Sequence, residues 1–252
     1  SHNFYWFTLE EPRTTAFKLR TSRLTAELPN IVAANRWDDV LSGRGRSALE
    51  SVLPAYLLGC RWFGGKARKV KTTRIVDAIP MSSDLLQAAL LMVRVEFVEG
   101  EAGIYLLPLA FACAARAAQI RDWRAHAVVA DLHITASGQD GVLYDATWEE
   151  DFASLLLDTI RRRRRFRGVH GSLVGEPTPA LRPALSGQPD LAPHPLVAEQ
   201  SNTSILFGER LILKLFRRVE GGDNPDLEIG QFLTERTSFT HMPNVAGSLS
   251  YE

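Results

Sequence analysis

Three long apolar segments separated by short polar turns limit this chain more than any other feature. Residues 72–80, 87–98 and 104–111 each carry a strand's two-residue period. In the second, Leu91, Val93, Val95 and Phe97 share one face, opposite Met92, Arg94, Glu96 and Val98. Glu99-Gly-Glu-Ala-Gly103 is a turn, so the three segments form an antiparallel meander. A further hairpin is expected from residues 132–135 and 142–146 around Gly138-Gln-Asp-Gly141. Residues 112–130 are alanine-rich and read as strand followed by loop, and 47–58 suit a helix whose regularity Pro54 limits. Thr147 opens another helix, with Glu149, Glu150 and Asp151 in its first turn and Phe152, Leu155, Leu156, Thr159 and Ile160 inward. The fold class is α+β.

Composition narrows the function classes. The 252 residues carry 29 basic and 29 acidic side chains, a formal net charge of zero, which argues against nucleic acid or a strongly anionic membrane as the main partner. Arg161 to Arg165 end a helix, where cations suit the macrodipole and point around the axis; they serve solubility. Cys60 and Cys113 lack the spacing of a zinc site or a disulfide framework, and no metal ligands are expected. No apolar run approaches a membrane span and no signal-peptide pattern opens the chain, so the expected location is cytoplasmic. Residues 1–10 alternate aromatics on both faces, as in a strand buried on both sides.

Near the end of the chain, residues 210–216 alternate again. Leu211, Leu213 and Leu215 occupy one face, and Ile212, Lys214 and Phe216 the other. Lys214 is the only charge among them, and a buried ammonium needs an anionic partner. The following helix offers one: Asn224 caps it, Pro225 suits its first position, and Glu228, Gln231 and Glu235 line one side, with Leu227, Ile229, Phe232 and Leu233 as apolar contacts. Upstream, Ser201-Asn202-Thr203-Ser204 is expected as a turn whose hydroxyls, amide and backbone N–H groups are donors suited to phosphate. Strand lysine followed by helix glutamate is the arrangement with which protein-kinase-like folds hold ATP.

Glu199-Gln-Ser-Asn-Thr-Ser204, Leu211-Ile-Leu-Lys-Leu-Phe-Arg217 and Asn224-Pro-Asp-Leu-Glu-Ile-Gly230 together resemble the N-lobe of the maltokinases, ATP-dependent sugar kinases related to aminoglycoside phosphotransferases. Leu53-Pro-Ala-Tyr-Leu-Leu-Gly-Cys-Arg-Trp-Phe-Gly-Gly-Lys66 resembles the opening motif of their N-terminal cap. His2-Asn-Phe-Tyr-Trp-Phe-Thr-Leu9 resembles the closing strand of the C-terminal β-domain of trehalose synthases, enzymes sometimes fused to a maltokinase.

The resemblance implies three units: residues 1–46, the end of an amylase-type β-domain and a linker; 47–138, the cap; and 139–252, a kinase-like N-lobe truncated before the C-lobe. It implies ATP and maltose as ligands, with Ser201, Asn202, Thr203, Ser204, Lys214 and Glu228 at the nucleotide, and a trehalose synthase domain in cis. His170-Gly-Ser echoes the superfamily's His-Gly-Asp catalytic loop, but it precedes Lys214 and has Ser172 where the aspartate belongs, so it is expected as a bend. The general base and the Mg²⁺ ligands are therefore expected outside this chain, which alone is expected to be inactive. Two other readings stay open: another sugar or aminoglycoside kinase, and a non-catalytic docking or regulatory module of a synthase fusion motivated by residues 4–7 and the basic cluster of Arg61, Lys66, Arg68, Lys69 and Lys71.

Overall fold

The computed structural model describes residues 28–84, 86–187, 191–196, 202–222, 224–237, 239 and 241–252. The aromatic strand expected at residues 1–10 lies outside them. The meander forms as expected, as β2 (Val70–Ser82), β3 (Gln87–Phe97) and β4 (Gly103–Cys113). The second hairpin, β5 (Val128–Ile134) and β6 (Gln139–Asp145), joins it with β6 against β4. The unit boundary expected after residue 138 thus divides a hairpin, and 139–145 belong to the same sheet as the meander. A short strand β1 (Asn30–Ala33), in a stretch read as polar linker, pairs parallel to β5. The order is β1-β5-β6-β4-β3-β2, with one more strand on β4 described below.

Helices cover both faces of this sheet. On one lies α1 (Gly43–Gly59), whose Leu49, Leu53, Tyr56 and Leu57 pack on Val93, Val95, Leu107 and Leu143. Opposite it, α2 (Ala114–Arg124) and α3 (Glu150–Arg161) cover Leu90, Met92, Ala110 and Val142 with Ile120, Phe152, Leu155 and Leu156. Residues 114–124 are a helix and not the expected loop, because alanine is the strongest helix former and Ala117 and Ile120 recur on one face. The helix expected from Thr147 begins at Glu150, since the Asp145 carboxylate first caps a short 3-10 turn through Thr147 N–H.

Pro54 does not break α1. Its missing N–H leaves the Glu50 carbonyl without its helical partner, and the Thr73 hydroxyl donates to that carbonyl at 2.5 Å. Sequence-distant Thr73 thereby repairs the helix and fixes it against β2.

Along β2 a bulge at Val76 reverses which residues face which layer: Ile75 points to the α1 core, whereas Ile79 and Met81 point to the opposite one. Asp77 sits just past this reversal, 2% exposed. Its carboxylate accepts from the N–H groups of Val169 (2.7 Å), His170 (3.2 Å) and Gly171 (3.0 Å), and from the Tyr251 hydroxyl (2.8 Å). Tyr251 belongs to a second sheet, β13-β8-β7, made of β7 (Arg165–Arg167), β8 (Ser172–Pro177) and β13 (Gly247–Tyr251), and Val169, His170 and Gly171 to the loop between its β7 and β8. The His-Gly-Ser echo is therefore the β7–β8 loop, and it is a bend as expected, held by Asp77.

Burial pushes the Asp77 carboxyl up, but the Tyr251 hydroxyl and the three N–H groups outweigh it and hold it below its ordinary value. A depressed folded-state pKa gives stability that is present above about pH 4, the ordinary carboxylate range, and lost as pH falls through the folded value. Asp77→Asn is predicted to lower unfolding free energy at pH 7 by about 1–3 kcal/mol, because N–H donors lose their acceptor. Urea unfolding at pH 7 and at pH 3 should show the gap to wild type shrinking in acid; a gap of constant size would contradict this.

Candidate functional site

Past α3 the chain makes α4 (Leu181–Ala184) and a third sheet, β11-β10-β9, from β9 (Pro193–Pro195), β10 (Asn202–Phe207) and β11 (Leu211–Phe216). The β10–β11 hairpin lays Ile205, Phe207, Leu211 and Leu213 against Ala153 and Leu157 of α3. The alternation in β11 is as expected: Leu215 is buried, Leu211 and Leu213 are half-buried, and Ile212 and Lys214 are exposed.

The next residue on the inward parity is Arg217, and it is 1% exposed. Its guanidinium donates from Nη2 to Asp145 Oδ2 at 2.9 Å and Thr147 Oγ1 at 2.8 Å, and from Nε to Thr203 Oγ1 at 2.8 Å. Nη1 reaches the Leu106 carbonyl at 3.4 Å, and the ring of Trp62 stacks on the guanidinium at 4.6 Å. Asp145, also 1% exposed, spends its other oxygen on Thr147 N–H and the Thr147 hydroxyl. Tyr56 donates to Asp145 Oδ2 at 3.4 Å. Burial, with the nearby Cys60 and Asp145, pushes the Tyr56 hydroxyl well up against the opposing pull of Arg217, so Tyr56 stays a donor.

The backbone makes the same junction. Leu106 N–H donates to the Arg217 carbonyl at 2.7 Å, and β12 (Arg218–Val219) then pairs with Tyr105 and Ile104 of β4. β4 thus shares one edge between β6, at residues 109–113, and β12, at 104–105. Pro108 lies between them with the parity of Leu106, so the N–H it lacks would have pointed into the gap. The Arg217 and Asp145 side chains meet where one strand hands over to the other.

The opening motif of residues 53–66 feeds this centre. Phe63 packs on Phe97 and Tyr105, Trp62 on Arg217, and a Cβ on Gly65 would come within 2.5 Å of the Phe63 ring. Arg68 of the basic cluster is engaged, stacked over Phe97 at 3.6 Å and donating to the Glu99 and Glu101 carbonyls. Arg61, Lys66, Lys69 and Lys71 are exposed.

Several expected site residues take other places. Ser201 lies outside the described residues. Asn202, Thr203 and Ser204 are strand, not turn; the turn is Gly208-Glu209-Arg210. Thr203 is buried on Arg217, and Ser204, facing Lys214 across the ladder, is buried with no hydrogen-bond partner for its hydroxyl among the described residues. Asn202 is half-buried.

Lys214 and Glu228 do not form the expected ion pair, and both are exposed. The cause is the alternation itself: with the leucines inward, Lys214 faces solvent, where an ammonium needs no counter-charge. Helix α5 (Pro225–Arg236) is capped by Asn224 as expected, but it is seated by Gly230 against Met242 and Val245. Ile229 and Phe232, expected as apolar contacts, are exposed.

The fold and this junction define a mixed α+β cap, helices on both faces of its sheet, to which a lysine-bearing β-hairpin is joined by a buried ion pair. Residues 56–148 match the maltokinase N-terminal cap domain, so this stretch is similar to the cap of that family. The match holds the cap side of the junction, Tyr56, Trp62, Asp145 and Thr147, while Arg217 and Thr203 lie beyond it. No helix among the described residues is long and apolar enough to cross a membrane.

Removing one member of a buried ion pair leaves the other charged and unsolvated. Asp145→Ala is predicted to cost about 3–5 kcal/mol. Asp140→Ala, which breaks the exposed His133–Asp140 pair, should cost less than about 1 kcal/mol. Denaturant midpoints of the two variants test the contrast; equal losses would contradict it.

Proposed function

We propose that this chain is the N-terminal part of an ATP-dependent maltokinase, converting ATP and maltose to maltose 1-phosphate in trehalose and glycogen metabolism. The observation that carries the reading is the maltokinase cap at residues 56–148, followed by a hairpin that presents Lys214 to solvent and is joined to that cap through Arg217. In this reading residues 193–252 contribute to a kinase-like nucleotide lobe. Lys214 contacts the α/β-phosphates, and Asn202 and the backbone entering β10, with Ser201, cover the phosphate tail. Thr203 supports the hairpin through Arg217 and does not touch nucleotide. Glu228 acts as the partner of Lys214 only in an arrangement of α5 other than the present one.

Phosphoryl transfer depends on positioning and on neutralising charge at the phosphates. Mg²⁺ supplies part of that charge, and its ligands and the general base are assigned to residues outside this chain. A trehalose synthase domain in cis belongs to the reading through residues 2–9 alone.

Full-length protein should consume ATP in a maltose-dependent manner, and Lys214→Met should lower kcat/KM for ATP by about 100-fold or more, as loss of a positioned charge donor does. Initial rates with maltose, glucose, trehalose and an aminoglycoside check this. Turnover with an aminoglycoside and not maltose would replace the substrate assignment, and activity indifferent to Lys214 would overturn the site.

A further inference from the structure

Between the first turns of α1 and the outer edge of β2 runs a groove of about 560 Å³ that plays no part in the proposed nucleotide site. Its walls are polar: Pro54 is the only residue of its lining without a polar side chain. Arg46 and Glu50 stand on the helix wall, and Lys71, Thr72, Thr73 and Arg74 on the strand wall.

The charges in it are unevenly spent. Glu50 is engaged by Arg46 at 3.1 Å and accepts the Ile75 N–H at 2.8 Å, while Arg46 donates to the Ile75 carbonyl. That pair closes the free edge of β2 at Ile75. Lys71 and Arg74, by contrast, are exposed and have no carboxylate within 4 Å among the described residues. With Glu50 neutralised by Arg46, the groove holds two uncompensated cations.

Two features of β2 aim cations here at a cost. A register shift between Val70 and Thr72 leaves Lys71 as an extra residue, turned out of the ladder. Arg74 lies directly opposite Arg94 on β3, a like-charge cross-strand pair that destabilises a sheet, and Arg94's own carboxylate partner, Glu96, is 3.7 Å away. Ser47 and Thr72 add hydroxyls that donate or accept.

We propose that this groove is a binding site for a phosphate ester of a polyhydroxylated compound, such as a sugar phosphate, with Lys71 and Arg74 taking the phosphate and the hydroxyl-lined wall taking the sugar. The site is separate from Lys214 and does not depend on the kinase reading. Its occupant is charged and hydrated, so binding weakens with salt.

Isothermal titration of the whole chain with glucose 6-phosphate, inorganic phosphate and glucose tests it. Glucose 6-phosphate should bind at millimolar or tighter Kd, inorganic phosphate more weakly, and glucose not measurably. Lys71→Gln/Arg74→Gln should weaken glucose 6-phosphate at least about tenfold, whereas Lys214→Met should leave it unchanged. Both cations are exposed, and a thermal midpoint no lower than that of wild type confirms that the double variant folds. The single variants Lys71→Gln and Arg74→Gln should each give part of the loss. No binding of glucose 6-phosphate at 10 mM, or binding unaffected by the double variant, would overturn the proposal. Equal affinity for inorganic phosphate and glucose 6-phosphate would overturn the sugar part of it.

Discussion

A guanidinium and a carboxylate, each 1% exposed and 2.9 Å apart, hold the two halves of this structure in register. Taking both charges out of water is costly, and Coulomb attraction alone does not reliably offset it. Here every nitrogen of the guanidinium and both carboxylate oxygens are also bonded. Thr203, Thr147 and the Leu106 carbonyl take three of the other four Arg217 N–H donors, and Thr147 and Tyr56 complete Asp145. An apolar pair could fill the same space but would not specify direction. The planar fork of arginine requires β6, the hairpin and the turn around Trp62 to meet in one arrangement.

The rest of the cap can be understood as what that junction needs. Its sheet is buried on both faces, so a slip of one residue would exchange two apolar layers instead of exposing one. Irregularities pin the register instead: the bulge at Val76, the missing donor of Pro108 and the Thr73 bond to the carbonyl that Pro54 leaves open. Asp77, placed by the bulge, ties the β13-β8-β7 sheet to the same scaffold.

Much of the sheet was legible because a period of two survives in residues 87–98 and 104–111 even with both faces covered. The helix at Ala114–Arg124 was not, since a run of alanines carries little amphipathic signal and only helix propensity distinguished it. The strand at Asn30–Ala33 is too short to show a pattern. At the candidate site, alternation in residues 211–216 fixed which side chains face inward, and the same parity carried on to Arg217 would have marked it as a buried arginine in need of a partner. Lys214, the charge inside the strand, draws that reasoning first, although its parity is the outward one. Asp145 could not be matched to Arg217 because 72 residues separate them and only the handover of the β4 edge brings them together.

If the ion pair joins cap and hairpin into one cooperative unit, the hairpin cannot open by itself. Native-state hydrogen exchange reads this directly, by comparing the β10–β11 ladder amides of Ile205, Phe207, Leu213 and Leu215 with the β3–β4 amides of Leu91, Val93 and Leu107. The account predicts matching opening free energies in wild type, with the hairpin amides losing protection first and furthest in Asp145→Ala. Hairpin amides that exchange well below the cap in wild type, and do not respond to Asp145→Ala, would contradict it.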